Sequence, residues 1–188
     1  MKKNRRLLTI LIAAGIILIG AGVYYYVMTA KRTHAHDRLS IPDEKLLAVS
    51  RDEISSSDRP AVFAVLGSFS PVTNAHIRMP EIARDYLKLV RPDLHITGGF
   101  LSPVGDAYGK VGLAQAEHRV AMARLAVEDS NWLAVDPWES KQSTHQRAVV
   151  VLQHIKDAVN AYYGINNIRV MLVCGADLVA TFNKPGFK

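Results

Sequence analysis

Ala61-Val62-Phe63-Ala64-Val65-Leu66-Gly67-Ser68-Phe69-Ser70-Pro71-Val72-Thr73-Asn74-Ala75-His76 is the stretch from which the fold can be read. Its first six residues are apolar and of strand length. Gly67 breaks the run, a Ser/Pro/Thr/Asn turn follows, and an amphipathic helix begins near Ala75. A strand that passes through a glycine turn into a helix is how α/β proteins build an anion site. Backbone N–H groups and the helix N-terminus then converge on one place, and a phosphate fits there. Gly67 has no Cβ, so a ligand can approach its backbone closely. His76 falls in the first helical turn, near the same spot.

The chain downstream repeats the alternation. Ala75 to Val90 reads as a helix with Ile77, Ile82, Tyr86, Leu87 and Val90 on one face. Pro80 belongs in the first turn of that helix or at a local distortion, because inside a helix it costs about 3 kcal/mol. Leu94–Leu101 reads as a strand, Leu113–Glu128 as a helix, Trp132–Val135 as a short strand and Thr144–Tyr163 as a long helix ended by Gly164. Ile168–Cys174 is apolar and β-branched, as a buried parallel strand is. The expectation is a Rossmann-like α/β domain: a parallel sheet of about four strands flanked by helices, joined by right-handed crossovers.

Three motifs carry a resemblance. Gly67 to His76 looks like the phosphate loop of the nucleotidyltransferase α/β superfamily, in the form found in eukaryotic nicotinamide mononucleotide (NMN) adenylyltransferases. Ser102-Pro103-Val104-Gly105-Asp106-Ala107-Tyr108-Gly109-Lys110 and Gly175-Ala176-Asp177-Leu178 resemble the same family, as does Val135-Asp136-Pro137-Trp138-Glu139-Ser140. The resemblance implies His76 and Lys110 as catalytic groups. It implies Gly67, Ser68, Phe69, Thr73, Tyr108, Trp138, Gly175, Asp177 and Phe187 as substrate- or nucleotide-binding residues. The substrates would be ATP and NMN or its nicotinate counterpart (NaMN), with Mg²⁺ accompanying ATP. The chain departs from the pattern at Pro80, where the family carries an aromatic, and at His145 and Ala148, where it carries an aromatic and a Thr. Ala148 lacks the hydroxyl, so weaker or altered NMN binding is expected. The resemblance covers residues 61–188, roughly the first two-thirds of the family's domain; the family's S-T-x-x-R segment that grips the ATP phosphates comes after the Gly175–Leu178 motif, and no such pattern follows Leu178 here, the same letters at Ser143–Arg147 standing before it.

Charge separates the ends of the chain. The net charge is +6. Seven of the 23 Lys/Arg and one of the 17 Asp/Glu fall in residues 1–38, which leaves sixteen of each sign in the rest. The basic excess therefore belongs to the N-terminus, and a nucleic-acid partner is not expected. Leu7–Met28 carries no charge and has Lys/Arg on both sides. As a helix of about 22 residues it would span roughly 33 Å, enough for a bilayer core of about 30 Å. Residues 1–30 are read as a single-pass membrane anchor, residues 31–59 as a polar linker and residues 60–188 as the α/β domain. The membrane is left open between the mitochondrial surface and an endomembrane. His34 and His36 in the linker do not fix a metal geometry, so no metal site is expected. A single cysteine, Cys174, excludes an intrachain disulfide and a thiolate cluster.

The implied reaction joins the mononucleotide 5′-phosphate to the α-phosphate of ATP and releases pyrophosphate, forming NAD or deamido-NAD. The nucleophile is already an anionic oxygen, so positioning and charge stabilisation suffice. The alternatives are a membrane-tethered nucleotide-binding or interaction protein without turnover, and an inactive product of a longer gene. An uncovered sheet edge or face, with low stability or homo-oligomer formation, is a further expectation.

Overall fold

The structure is a computed structural model that describes residues 23–27 and 59–182. Its elements in chain order are β1 (Val23–Val27), β2 (Pro60–Gly67), α1 (Asn74–Val90), β3 (His95–Pro103), α2 (Ala116–Ala126), β4 (Leu133–Val135), α3 (Ala148–Tyr163), β5 (Arg169–Gly175) and α4 (Ala176–Phe182). Single 3₁₀ turns occupy Asp106–Tyr108 and Glu139–Lys141.

The sheet order is β1-β5-β2-β3-β4. β5, β2, β3 and β4 run parallel, and β1 pairs with β5 antiparallel. Both faces of β2 are covered, which explains its unbroken apolar run. Val62 and Ala64 face a core that α3 supplies with Val151, Leu152, Ile155, Val159 and Tyr163. Ala61, Phe63 and Val65 face a second core, to which α1 gives Ala83 and Leu87 and α2 gives Val120 and Ala123. The result is a sheet between two helical layers, as expected.

Strand order decides where ligands go. From β2 the chain steps outward to β3 and β4, then crosses to β5 on the other side of β2. Carboxyl ends of parallel strands that depart in opposite directions leave a crevice between them, and open α/β sheets bind ligands there. Gly67 and Gly175 each lie three residues beyond the last β2–β5 pair, Ala64 and Leu172, so both glycines stand at the mouth of that crevice.

Several expectations are corrected. Pro80 is the seventh residue of α1, not in its first turn, and is buried. It supplies no N–H to the carbonyl of His76 four residues earlier; burial of Ala83 and Leu87 beyond it carries the helix through. α3 begins at Ala148, four residues later than its sequence pattern suggests, after an extended Arg147. Gly164 ends α3 in the left-handed region at φ 70°, as expected. Val23–Val27, inside the expected membrane helix, is a strand. Val-Tyr-Tyr-Tyr-Val is rich in the β-branched and aromatic residues that favour strands. It pairs along the outer edge of β5, from Val23 opposite Gly175 to Val27 opposite Met171, so that edge is not left open. The rest of the expected anchor and the linker lie outside the described residues. Among the described residues no helix is long and apolar enough to cross a membrane.

Candidate nucleotide site

The loop after β2 is shaped by Phe69. Its side chain is buried and its φ is 46°, in a region that residues with a Cβ seldom enter. The ring lies under Gly67, where an added Cβ would stand 3.2 Å from it. A side chain at Gly67 would thus press on the Phe69 ring, which would have to give by a few tenths of an ångström. Phe69 meets His76 edge to face, with ring centroids 5.2 Å apart. Phe69 can thus reach a ligand through its backbone alone, and its side chain acts as the platform for the imidazole. Ser70–Pro71 is a cis peptide.

His76 turns one nitrogen back to the start of its own helix. The Thr73 N–H donates to Nδ1 at 3.0 Å, and the Thr73 hydroxyl lies 2.8 Å from the same atom. This is the reciprocal half of a capping box, with imidazole in the place of the usual carboxylate. Because Nδ1 accepts, the neutral ring carries its proton on Nε2. Burial lowers the His76 pKa, which keeps it neutral near pH 7. Thr73, a sequence candidate for substrate contact, is the helix cap that orients the histidine.

Arg119 connects two loops. Its side chain is fully buried. Nε donates to the Ala114 carbonyl at 2.7 Å, Nη1 to the Ser68 carbonyl at 2.9 Å and Nη2 to Asp106 Oδ1 at 3.1 Å. The guanidinium fork suits this task because its donors are rigidly spaced. Ser68 thus points its carbonyl inward to Arg119. Asp106 opens the 3₁₀ turn that presents Tyr108, and Gly109 follows it at φ 68°. Tyr108 and Lys110 are both exposed. Tyr108 packs against His145 with centroids 5.0 Å apart.

The loop after β4 forms the adjoining wall. Asp136 is fully buried and accepts the Trp138 N–H at 3.0 Å through Oδ1. The half-buried Trp138 indole stacks on the His154 imidazole of α3, 4.3 Å apart and 12° from parallel. Glu139, also buried, accepts the Ser102 hydroxyl at 3.2 Å. Burial raises its carboxyl pKa to about 7; the Ser102 bond opposes this, Asp136 adds to it and Arg119 opposes it. Gly105 is required between these loops, since a Cβ there would stand 3.0 Å from the Glu139 carbonyl and 3.3 Å from that of Gln142.

On the far side of the crevice, β5 ends at Gly175. Asp177 folds back over it, so that an added Cβ would lie 2.6 Å from Oδ1. Cys174, just inside, is buried, and burial pushes its thiol up to about 11, which removes it as a nucleophile.

The sequence candidates Gly67, Ser68, Phe69, Thr73, His76, Tyr108, Lys110, Trp138, Gly175 and Asp177 all lie at the carboxyl edge of the parallel sheet, in the loops leaving it or, for His76 and Asp177, in the first turn of the helix that follows. Phe187 lies outside the described residues. Asp136, Glu139 and His154 were not singled out in the sequence. Asp136 and Glu139 flank Trp138 in a motif that was quoted, but nothing in the pattern marks them as buried. His154 comes from a helix eighteen residues past Asp136. Arg119 serves a structural role, tying the loops after β2 and β3 together. Among the described residues no group of three or more His, Cys, Asp or Glu could hold a metal ion.

A sequence profile described as Cytidylyltransferase-like matches residues 64–188. A nicotinamide/nicotinic acid mononucleotide adenylyltransferase of Arabidopsis thaliana is 41% identical over 148 residues, covering 78% of this chain and 60% of the relative. One from Oryza sativa subsp. japonica is 41% identical over 152 residues, covering 79% and 59%. A Saccharomyces cerevisiae protein, nicotinamide/nicotinic acid mononucleotide adenylyltransferase 2, is 40% identical over 135 residues, covering 67% and 34%. The chain thus spans about three-fifths of the plant relatives' length and about a third of the yeast relative's.

Proposed function

The chain belongs to the cytidylyltransferase-like family, and from that premise we propose that it is a nicotinamide/nicotinate mononucleotide adenylyltransferase, transferring AMP from ATP to NMN or NaMN. The observation that carries the reading is the pairing of two glycine ends, Gly67 and Gly175, at the switch point of the sheet, with His76 fixed behind the first.

In this reading an oxygen of the mononucleotide phosphate attacks the α-phosphorus of ATP. The bond to the bridging oxygen breaks and pyrophosphate leaves. Extra negative charge gathers on the α-phosphate in the transition state, and preorganised donors stabilise it. His76 would give its Nε2–H to a phosphate oxygen. It needs no proton transfer, because the attacking oxygen is already ionised. Lys110 would neutralise phosphate charge from the neighbouring loop. Gly67 and Gly175 would let phosphate and sugar lie against backbone, and Asp177 would accept from a nucleotide hydroxyl. Trp138 would form one wall of the mononucleotide pocket, with Tyr108 on the adjoining loop. Mg²⁺ bound mainly through substrate phosphates and water fits a site where the described residues form no cluster of protein ligands; it would neutralise triphosphate charge when bound.

Formation of NAD from ATP and NMN, followed by a coupled dehydrogenase, tests the proposal. His76→Ala should lower kcat by about 100-fold or more, the scale of losing one transition-state donor. Nucleotide binding without turnover in the wild-type chain would favour a binding module instead. Membrane attachment through the uncharged residues that precede β1 is a separate proposal. Alkaline carbonate extraction tests it, and release into the supernatant would refute it.

A further inference from the structure

We propose that His154 is a positioning residue for the mononucleotide pocket, holding the Trp138 indole in place through a brace shared with Asp136. The inference rests on the adenylyltransferase reading, because it assigns Trp138 to the base pocket.

The brace joins three elements. Asp136 closes β4 and is fully shielded from solvent. One of its oxygens takes the Trp138 backbone N–H at 3.0 Å, and the other lies 3.5 Å from His154 Nε2. His154 comes from the second turn of α3 and lays its ring flat against the indole, at 4.3 Å and 12°. A single carboxylate therefore holds the main chain of the tryptophan and stands beside the ring that covers one of its faces. An indole without such a support turns about two side-chain torsions, and a pocket wall that turns binds a flat base poorly. The imidazole touches the indole, not the site of bond formation, so its effect falls on binding of the base and not on the chemical step.

A hydrocarbon packed at this position would fill space equally well. Two features speak for a specific role. The near-parallel ring geometry is that of stacking between planar groups. The Nε2 atom lies 3.5 Å from an oxygen of the same buried carboxylate that holds Trp138, near it without a hydrogen bond. Glu139 and Arg119 are the other charged groups close to this cluster, and neither stacks on the indole.

The test uses the full chain labelled with 5-fluorotryptophan. It contains two tryptophans, and Trp132 serves as an internal reporter of the core. His154→Leu should raise the KM for NMN about tenfold, the scale of one lost ring stack. Its kcat should stay within about twofold, and the KM for ATP should not change. His154→Phe, which keeps a flat ring, should restore most of the loss. The Trp138 fluorine resonance should shift or broaden in the Leu variant while that of Trp132 stays in place. An unchanged NMN KM with an unmoved Trp138 resonance would overturn the inference. Parallel loss of every kinetic constant, with Trp132 also displaced, would overturn it as well, since that marks general unfolding. A wild-type chain with no turnover and no Trp138 response to NMN would sink the adenylyltransferase reading itself, a pattern distinct from either.

Discussion

Glu139→Gln should make the protein more stable above neutral pH. Glu139 is 5% exposed, and its carboxyl pKa is raised from 4.5 to about 7, chiefly by burial. Below about pH 4.5 the group is protonated both folded and unfolded, and it costs nothing. As pH rises past 4.5 the unfolded chain ionises first, so unfolding gains ground. The penalty is complete once the folded carboxylate ionises near pH 7. Each pH unit of such a displacement is worth about 1.4 kcal/mol, so the loss between pH 4.5 and pH 8 is about 3 kcal/mol. Glutamine has the same shape, can still accept the Ser102 hydroxyl through its carbonyl oxygen, and carries no charge beside Asp136. The advantage of the variant over wild type should therefore grow by about 3 kcal/mol across that range, or about 6–12 °C in Tm for a chain of this size. His76 has a lowered pKa and pulls the other way: its contribution is lost as pH falls below its ordinary 6.5. It is present in both proteins, so the difference between their curves isolates Glu139. Thermal melts of both at half-unit pH steps provide the data. Curves that stay parallel from pH 4.5 to pH 8 would refute the reasoning.

Two further expectations concern the loops. Arg119→Lys should cost about 3 kcal/mol, because one ammonium cannot serve three oxygens spread over separate loops and leaves buried carbonyls unpaired; urea titration measures it, and a loss under about 0.5 kcal/mol would show the fork to be dispensable. Gly175→Ala should displace the Asp177 carboxylate, which would lie 2.6 Å from the new methyl, and weaken ATP binding about tenfold with little change in Tm; calorimetric titration that finds unchanged affinity would remove Asp177 from the site.

The strand at Ala61 and the glycine bend after it were legible because periodicity and turn chemistry agree there. The same agreement accounts for β3 and β5, while the crevice between the two glycine ends comes from the strand order. Residues 23–27 were misread because an uncharged run satisfies a helix and a strand alike, and length was taken as the arbiter. Pro80 stands beyond the first turn because its own burial and that of Ala83 and Leu87 after it override the local rule. The start of α3 slid by four residues since Thr144 to Arg147 are polar and compatible with helix. What backs Trp138, itself named from the sequence, lay beyond it for a different reason. Its support comes from His154, and nothing in a one-dimensional spacing announces which ring of a distant helix will lie flat on an indole.

The buried guanidinium that grips Ser68, Ala114 and Asp106 has a mechanical consequence. It welds the loop after β2 and the loop after β3 into one part, so neither hinges without tearing a desolvated cation from its oxygens. In the adenylyltransferase reading, the cradle is thus set before any nucleotide arrives. Substrate capture should proceed at a pace set by diffusion and charge, with no slow closure of these two loops ahead of it.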